Sequence, residues 1–166
     1  FGLFAFLIYY TGCRRGEAEG LKYEDIDREA KRIRIQRSVY NTSPTPEIKT
    51  PKTEADIRSV PLLSALAEAL PDKKHGYIFS ADGGKSPLPG WKLEDLYVGY
   101  KMRTGVAVSP HEIRHGYASA LYESGVDYKT MQQLLGHAQL ATTMDIYTEI
   151  FDKRIDEAAA QMDAKF

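Results

Sequence analysis

Two hydrophobic periods alternate along the chain. Residues 1–11 are apolar almost throughout (FGLFAFLIYYT), which predicts a buried helix closing near Gly12. A second, short helix is predicted over 15–21, with Glu17 and Glu19 in its first turn, where carboxylates suit the helix dipole. The period then shortens to two. Over residues 32–39, Ile33 and Ile35 face one way while Arg32, Arg34 and Gln36 face the other, the pattern of a half-buried strand. Residues 41–46 are turn-rich. Residues 47–52 and 57–60 read as two more strands joined by a polar turn over 53–56, so this stretch predicts a small antiparallel sheet.

After Pro61 the pattern becomes helical. Residues 62–70 form a short apolar helix, 77–79 an extended piece, 81–90 a Gly/Pro loop and 93–103 a further helix. Pro110 stands in the first turn of a helix running to about Ser124, with Ser109 as its cap and Gly125 as its end. Asp127 caps another helix reaching Leu135, and Gly136 ends it. Residues 142–151 and 152–166 supply the last helical turns, and the final one carries a stripe of Ile155, Ala159, Met162 and Phe166. No internal repeat or low-complexity segment interrupts the series. The predicted fold class is mainly α with a small antiparallel β-sheet, that is, α+β.

Composition narrows the picture. A chain of 166 residues, 43% hydrophobic and 27% charged, suits one globular domain and excludes a disordered tail. The longest apolar stretch, residues 1–10, is too short to span a bilayer, and the lone Cys13 allows no internal disulfide. A cytoplasmic setting without membrane contact is the expectation. The net charge of −1 does not announce a nucleic-acid binder. Charge is uneven, however: residues 1–60 hold eleven Lys/Arg against nine Asp/Glu, and residues 61–166 hold eleven against fourteen. Any DNA site must therefore be local. The chain opens inside an apolar run without a starting methionine, so residues 1–166 are expected to be one domain of a longer protein.

The sharpest chemical signal is His111-Glu-Ile-Arg-His115. As H-E-x-x-H on a helix it places two imidazoles on one face for zinc, with Glu112 as base. As H-x-x-R it places His111 and Arg114 on one face to hold a phosphate. Arg114, a permanent cation beside the metal-binding face, argues against zinc, and a third ligand is supplied only loosely by Glu123, His137 or Glu149. Elsewhere an arginine follows a helix break in Thr11-Gly-Cys-Arg14-Arg-Gly-Glu17. A lysine lies in a hairpin turn, Pro51-Lys52-Thr53, followed by Arg58-Ser-Val-Pro-Leu. Leu135-Gly136-His137 precedes Thr142-Thr-Met-Asp-Ile-Tyr147.

In this order, T-G-x-R-x-x-E, K-T…R-x-V-P-L, H-x-x-R-H, L-G-H and T-T-x-x-x-Y, the chain resembles the tyrosine recombinase (phage integrase) family from about Thr11 to Phe151. The resemblance implies the catalytic-domain fold of that family and DNA cleavage without a cofactor or metal. It implies that Tyr147 is the nucleophile, forming a covalent 3′-phosphotyrosyl bond and releasing a 5′-hydroxyl. Arg14 and Arg114 would clamp the non-bridging oxygens, and Lys52 would protonate the leaving oxygen. His111 would assist proton transfer from the tyrosine, and His137 would hydrogen-bond the phosphate. Glu17 would orient the first arginine and the histidine site, and His115 would be a supporting hydrogen-bonder. Lysine chemistry alone does not separate Lys52 from Lys49; the K-T…R-x-V-P pattern favours Lys52. Arg15, Arg32, Arg34 and Lys49 are either solvated surface or contacts to the DNA backbone.

The implied partners are double-stranded DNA attachment sites and three further copies of the protein, a homo-tetramer on DNA, with the C-terminal stripe packing on its own domain or on a neighbouring subunit. The family's N-terminal DNA-clamping domain and any arm-binding domain are not in this stretch. A phage or mobile-element integrase is the expected setting. Three other functions compete: a zinc metalloprotease through HEIRH, a type IB topoisomerase, and a DNA-binding module without catalysis.

Overall fold

The computed structural model describes residues 1–43, 45–50, 57–136, 159 and 162–163. The chain forms two compact units, Phe1–Tyr117 and Ala118–Phe166. The expected α+β character is met, with helices predominating and the strands all antiparallel.

In the first unit, α1 (Gly2–Thr11) buries Phe4, Leu7, Ile8 and Thr11, a helical stripe that the uniformly apolar sequence conceals. Tyr9, on the other side, is 46% exposed. Thr11 is tolerated inside because its hydroxyl donates to the Leu7 carbonyl at 2.7 Å. Phe4 meets the Phe79 ring edge-on at 5.0 Å, and the core continues through Leu21, Ile33, Val60 and Leu66. The short helix α2 (Arg15–Glu19) lies against the strand β3 (Ser38–Tyr40) so closely that a Cβ on Gly16 would stand 2.4 Å from the Val39 carbonyl oxygen. A 3-10 turn at Tyr23–Asp25, unforeseen in the sequence pattern, leads into β1 (Ile26–Asp27).

Strands β1, β2 (Arg32–Ile35) and β5 (Arg58–Pro61) make one antiparallel sheet in the order β1-β2-β5, with Ile33 opposite Val60 and Ile35 opposite Arg58. β3 pairs separately with β4 (Glu47–Lys49). The single strand expected over 32–39 is thus two strands, broken at Gln36 and Arg37. The cause is Asp25, a buried carboxylate that draws both side chains: Gln36 Nε2 donates to it at 2.6 Å, and Arg37 forms an ion pair with it. Consecutive residues of a strand point to opposite faces, so two that bind one acceptor cannot both stay in register.

Beyond the sheet, α3 (Ser64–Ala69) has its C-terminal carbonyls, Ala67 and Leu70, capped by the Arg28 guanidinium at 2.9 and 3.1 Å. The expected extended piece at 77–79 hooks onto the chain after α2: the Ile78 amide donates to the Leu21 carbonyl, and the Tyr23 amide donates to Gly76. Helix α4 (Gly90–Thr104) stacks Tyr97 and Tyr100 on Phe1. Helix α5 (Pro110–Glu123) starts as predicted at Ser109, whose hydroxyl accepts the Glu112 amide at 3.2 Å while the Glu112 carboxylate accepts the Ser109 amide at 2.7 Å.

In the second unit, Gly125 (φ 73°) follows the end of α5, and Asp127 caps α6 (Tyr128–Leu135), accepting from the Thr130 amide at 3.1 Å. Gly136 closes α6 in the left-handed region at φ 66°. Met131 and Leu135 are its buried residues. The helical turns expected over 142–151 and the greater part of 152–166 lie outside the described residues. Among the described residues, no helix is long and apolar enough to cross a membrane.

Candidate active site

The site grows from the turn between α1 and α2. Gly12 ends α1 with φ 64°, a left-handed conformation that glycine adopts without strain. Its carbonyl accepts a hydrogen bond from Nη1 of Arg114 on α5. Two residues later Arg14 caps α2, and Glu17 occupies the third helical position. There Glu17 accepts the Arg14 amide through Oε2 at 2.8 Å and the Arg14 guanidinium through Oε1 at 3.0 Å. The first turn of a helix is where an acid bonds a capping amide and meets the positive end of the dipole.

Glu17 is also reached from far along the chain. Arg58, the first residue of β5, donates Nη1 to Oε1 at 2.8 Å and Nη2 to Oε2 at 2.6 Å, a two-pronged fork. Arg114 Nη1 stands 4.0 Å from Oε2. Among the described residues, three guanidiniums therefore converge on this one carboxylate. The Arg14 side chain keeps 49% of its surface exposed, against 10% for Arg58 and 6% for Arg114, so Arg14 opens the cluster to solvent.

The surroundings tune each group. Burial by itself would raise the Glu17 carboxyl, but the Arg58 fork and charge, with the Arg14 amide and charge, override it and hold it at about 2. Burial, then the positive charge of Arg14, pulls Arg114 down to about 10, with Glu17 opposing and Arg58 adding to the depression. Arg114 stays charged at neutral pH at an electrostatic cost, which an oxyanion beside it would offset. Burial, then Glu17, pushes the Cys13 thiol up to about 11, so it remains a packed thiol. Burial likewise pushes Tyr117 up to about 12, and its buried hydroxyl has no hydrogen-bond partner among the described residues.

On α5, one turn separates His111 from His115, and their Nε2 atoms lie 2.9 Å apart. A bond between two ring nitrogens needs one donor and one acceptor, so one imidazole donates to the other. Glu112 is already engaged: its carboxylate caps α5, and Ser109 holds it below its ordinary value. The zinc reading thereby loses its base. Among the described residues, no group of three His, Cys, Asp or Glu side chains comes together.

The structure thus brings together Arg14, Glu17 and Arg114 in one cluster, with His111 and His115 on the same helix as Arg114. It adds Arg58, which the sequence pattern showed only as part of R-x-V-P-L, with no role. That motif was the available signal, but Arg58 and Glu17 are 41 positions apart, and no local period links them. Lys52, His137 and Tyr147 lie outside the described residues. Of the outlying cations, Arg15 is engaged by Glu19 at 2.8 Å and Glu94 at 3.4 Å, and Lys49 sits over the Tyr40 ring at 4.2 Å. Arg32 and Arg34 are exposed on the outer face of β2. They line an open cleft of about 740 Å³ together with Arg28, Glu24, Asp25 and Asp27, so its charge is mixed.

Comparison with known proteins identifies the family. Residues 3–154 match the model of the phage integrase family. A tyrosine recombinase XerC-like protein of Caldanaerobacter subterraneus subsp. tengcongensis is 33% identical, over 96% of this chain and 48% of its own length. The chain spans about half the length of the curated relatives it matches. Among solved structures, the XerH site-specific recombinase bound to palindromic difH substrate superposes with a TM-score of 0.65 at 27% identity, over 95% of this chain and 44% of that one. The Tn1549 transposon integrase, in complex with transposon right end DNA, shares the fold with a TM-score of 0.69 at 22% identity, over 93% of this chain and 57% of that one. With the family model spanning nearly the whole sequence, and with the fold of α1 to α6 shared with tyrosine recombinases, this chain belongs to the phage integrase family.

Proposed function

We propose that residues 1–166 are the catalytic domain of a site-specific recombinase that cuts and rejoins double-stranded DNA through Tyr147. The observation that carries this reading is the convergence of Arg14 and Arg114 on Glu17, with His111 and His115 on the same helix as Arg114. Arg14 and Arg114 offer paired, planar donors for the non-bridging oxygens of a phosphodiester, whose negative charge concentrates in the transition state. The Tyr147 oxygen attacks phosphorus, and its proton passes to His111. A P–O(Tyr) bond forms as the P–O5′ bond breaks, and Lys52 delivers a proton to the departing 5′ oxygen. His137 steadies the phosphate by a hydrogen bond. His115 holds His111 through the bond between their rings. One phosphodiester replaces another, so the reverse attack by a 5′-hydroxyl reseals the strand without an energy source.

The substrates are attachment sites in duplex DNA, the full-length protein acts as a homo-tetramer on them, and a phage or mobile-element integrase is the setting. The test is a nicked suicide duplex carrying the attachment site, incubated with full-length protein in EDTA and run on a denaturing gel. Wild type traps a covalent protein–DNA adduct, and Tyr147→Phe traps none. An adduct that persists in Tyr147→Phe would assign the nucleophile elsewhere, and the absence of any adduct on a verified site would sink the reading.

A further inference from the structure

His111 and His115 stand one turn apart on α5, with their Nε2 atoms at 2.9 Å and their planes inclined at 67°. The ring centroids are 4.4 Å apart. Two imidazoles meeting head-on through these nitrogens would hold their centroids further apart, so at least one ring is turned off the line that a hydrogen bond prefers. That tilt suits chelation, because an ion held by both nitrogens lies to one side of the line joining them. With metal–nitrogen bonds of about 2.05 Å, nitrogens 2.9 Å apart subtend about 90° at the ion. This is the angle between neighbouring ligands in the tetragonal sites of Cu(II) and Ni(II), whereas a tetrahedral zinc site needs its nitrogens about 3.3 Å apart.

The surroundings permit a cation there. Arg114, the charge that stood against a metal on this helix, turns Nη1 inward to the Gly12 carbonyl and is 5% exposed, whereas His111 is exposed. The Glu112 carboxylate accepts the Ser109 amide, so it stays outside the ligand set while its negative charge is felt at both rings. We propose that His111 and His115 form a two-imidazole binding site for a divalent ion of the copper or nickel class, and that the bound ion arrests DNA cleavage. Both Nε2 lone pairs go to the ion, and water fills its other positions. The ring that donated the hydrogen bond carries its proton on Nδ1 instead, so two neutral imidazoles bind and no proton is lost. Nδ1 of each ring is left to its own bonding, as in other ligating histidines. With Nε2 of His111 occupied, the Tyr147 proton has no acceptor there. The arrest rests on the recombinase reading; the site does not.

The full-length protein, stripped with EDTA and dialysed, is titrated with Cu(II) at free concentrations set by glycine and followed by electron paramagnetic resonance. Wild type gives the splitting of two imidazole nitrogens. His111→Ala and His115→Ala each lose that spectrum, and their Cu(II) affinity falls by at least about tenfold. Either variant decides by itself if the other does not fold. A two-nitrogen spectrum that survives either substitution, or an affinity unchanged by it, would overturn the site. The same titration on the nicked suicide duplex reads the arrest. Adduct from wild type falls at least about tenfold at saturating Cu(II), with a midpoint within about threefold of the binding midpoint, and EDTA restores it. Adduct that persists with the site filled would overturn the arrest. A wild type that binds Cu(II) through both imidazoles yet forms no adduct when free of metal would remove the recombinase reading and leave the site standing.

Discussion

Glu17 and Asp25 are both buried carboxylates near the start of the chain, and each gathers several donors. Asp25 takes the Lys22 amide at 2.8 Å, the Gln36 amide nitrogen at 2.6 Å and the Arg37 guanidinium. One negative charge meets one positive charge, and Arg37 completes itself on the Gly20 carbonyl at 3.2 Å. Glu17 meets three guanidiniums, one of them 49% exposed and another pulled below its ordinary ionisation range. The two hubs use the same chemistry and differ in how many guanidiniums, among the described residues, meet the acid. The Asp25 hub is closed and holds strands in place, whereas the Glu17 hub reaches solvent through Arg14, the arginine proposed to meet the phosphate.

The widest separation between the hubs should come from Asp25→Ala. It leaves the half-buried Arg37 guanidinium without its acid and is expected to cost about 3 kcal/mol, read as a fall in the denaturant midpoint at unchanged slope. A loss below about 1 kcal/mol would show that Asp25 is not the post that breaks the strand at Gln36. Acid should find the other hub. Folded, the Glu17 carboxyl ionises at about 2 against a usual 4.5, so as pH falls the unfolded chain takes up the proton first. The stabilisation is complete above about pH 5 and is lost between about pH 5 and 2, amounting to about 3 kcal/mol. Denaturant titrations across that range should show a steeper acid loss in wild type than in Glu17→Gln; parallel curves would mean that the clamp does not bind its carboxylate as tightly as the geometry requires. The smallest effect concerns the edge of the clamp. Tyr117→Phe removes a buried hydroxyl that has no partner among the described residues, and should leave stability unchanged or raised by less than about 1 kcal/mol. A clear destabilisation would show that this hydroxyl is hydrogen-bonded in solution.

Features written in neighbouring residues were legible in the sequence. Gly12, Gly136, Ser109 and Asp127 sit where a helix must end or begin, and each does so. The fold class followed from these and from the alternation of Ile33 and Ile35 with Arg32 and Arg34. What escaped was decided at a distance. Asp25 divides β2 from β3 across 11 and 12 positions, and Arg58 reaches Glu17 across 41, so neither leaves a trace in a local period. The same holds for the sheet, expected from three strands and found as β1-β2-β5 beside a separate β3-β4 pair. In the site, Arg14, Glu17 and Arg114 were legible because family motifs mark them, whereas Arg58 lay inside a motif that carries no chemical label.

The contacts of Glu17 also set an order of construction. Its bonds to Arg14 span three residues, the fork to Arg58 spans 41, and Arg114 lies further along still. Closing a short loop costs less entropy than closing a long one, so the helix cap can form as soon as residues 14–17 are joined, while the three-arginine cluster needs most of the first unit. A chain still emerging from the ribosome therefore carries at this point only a capped helix. The phosphate clamp proposed for these arginines is therefore complete only late, when most of the first unit has been made.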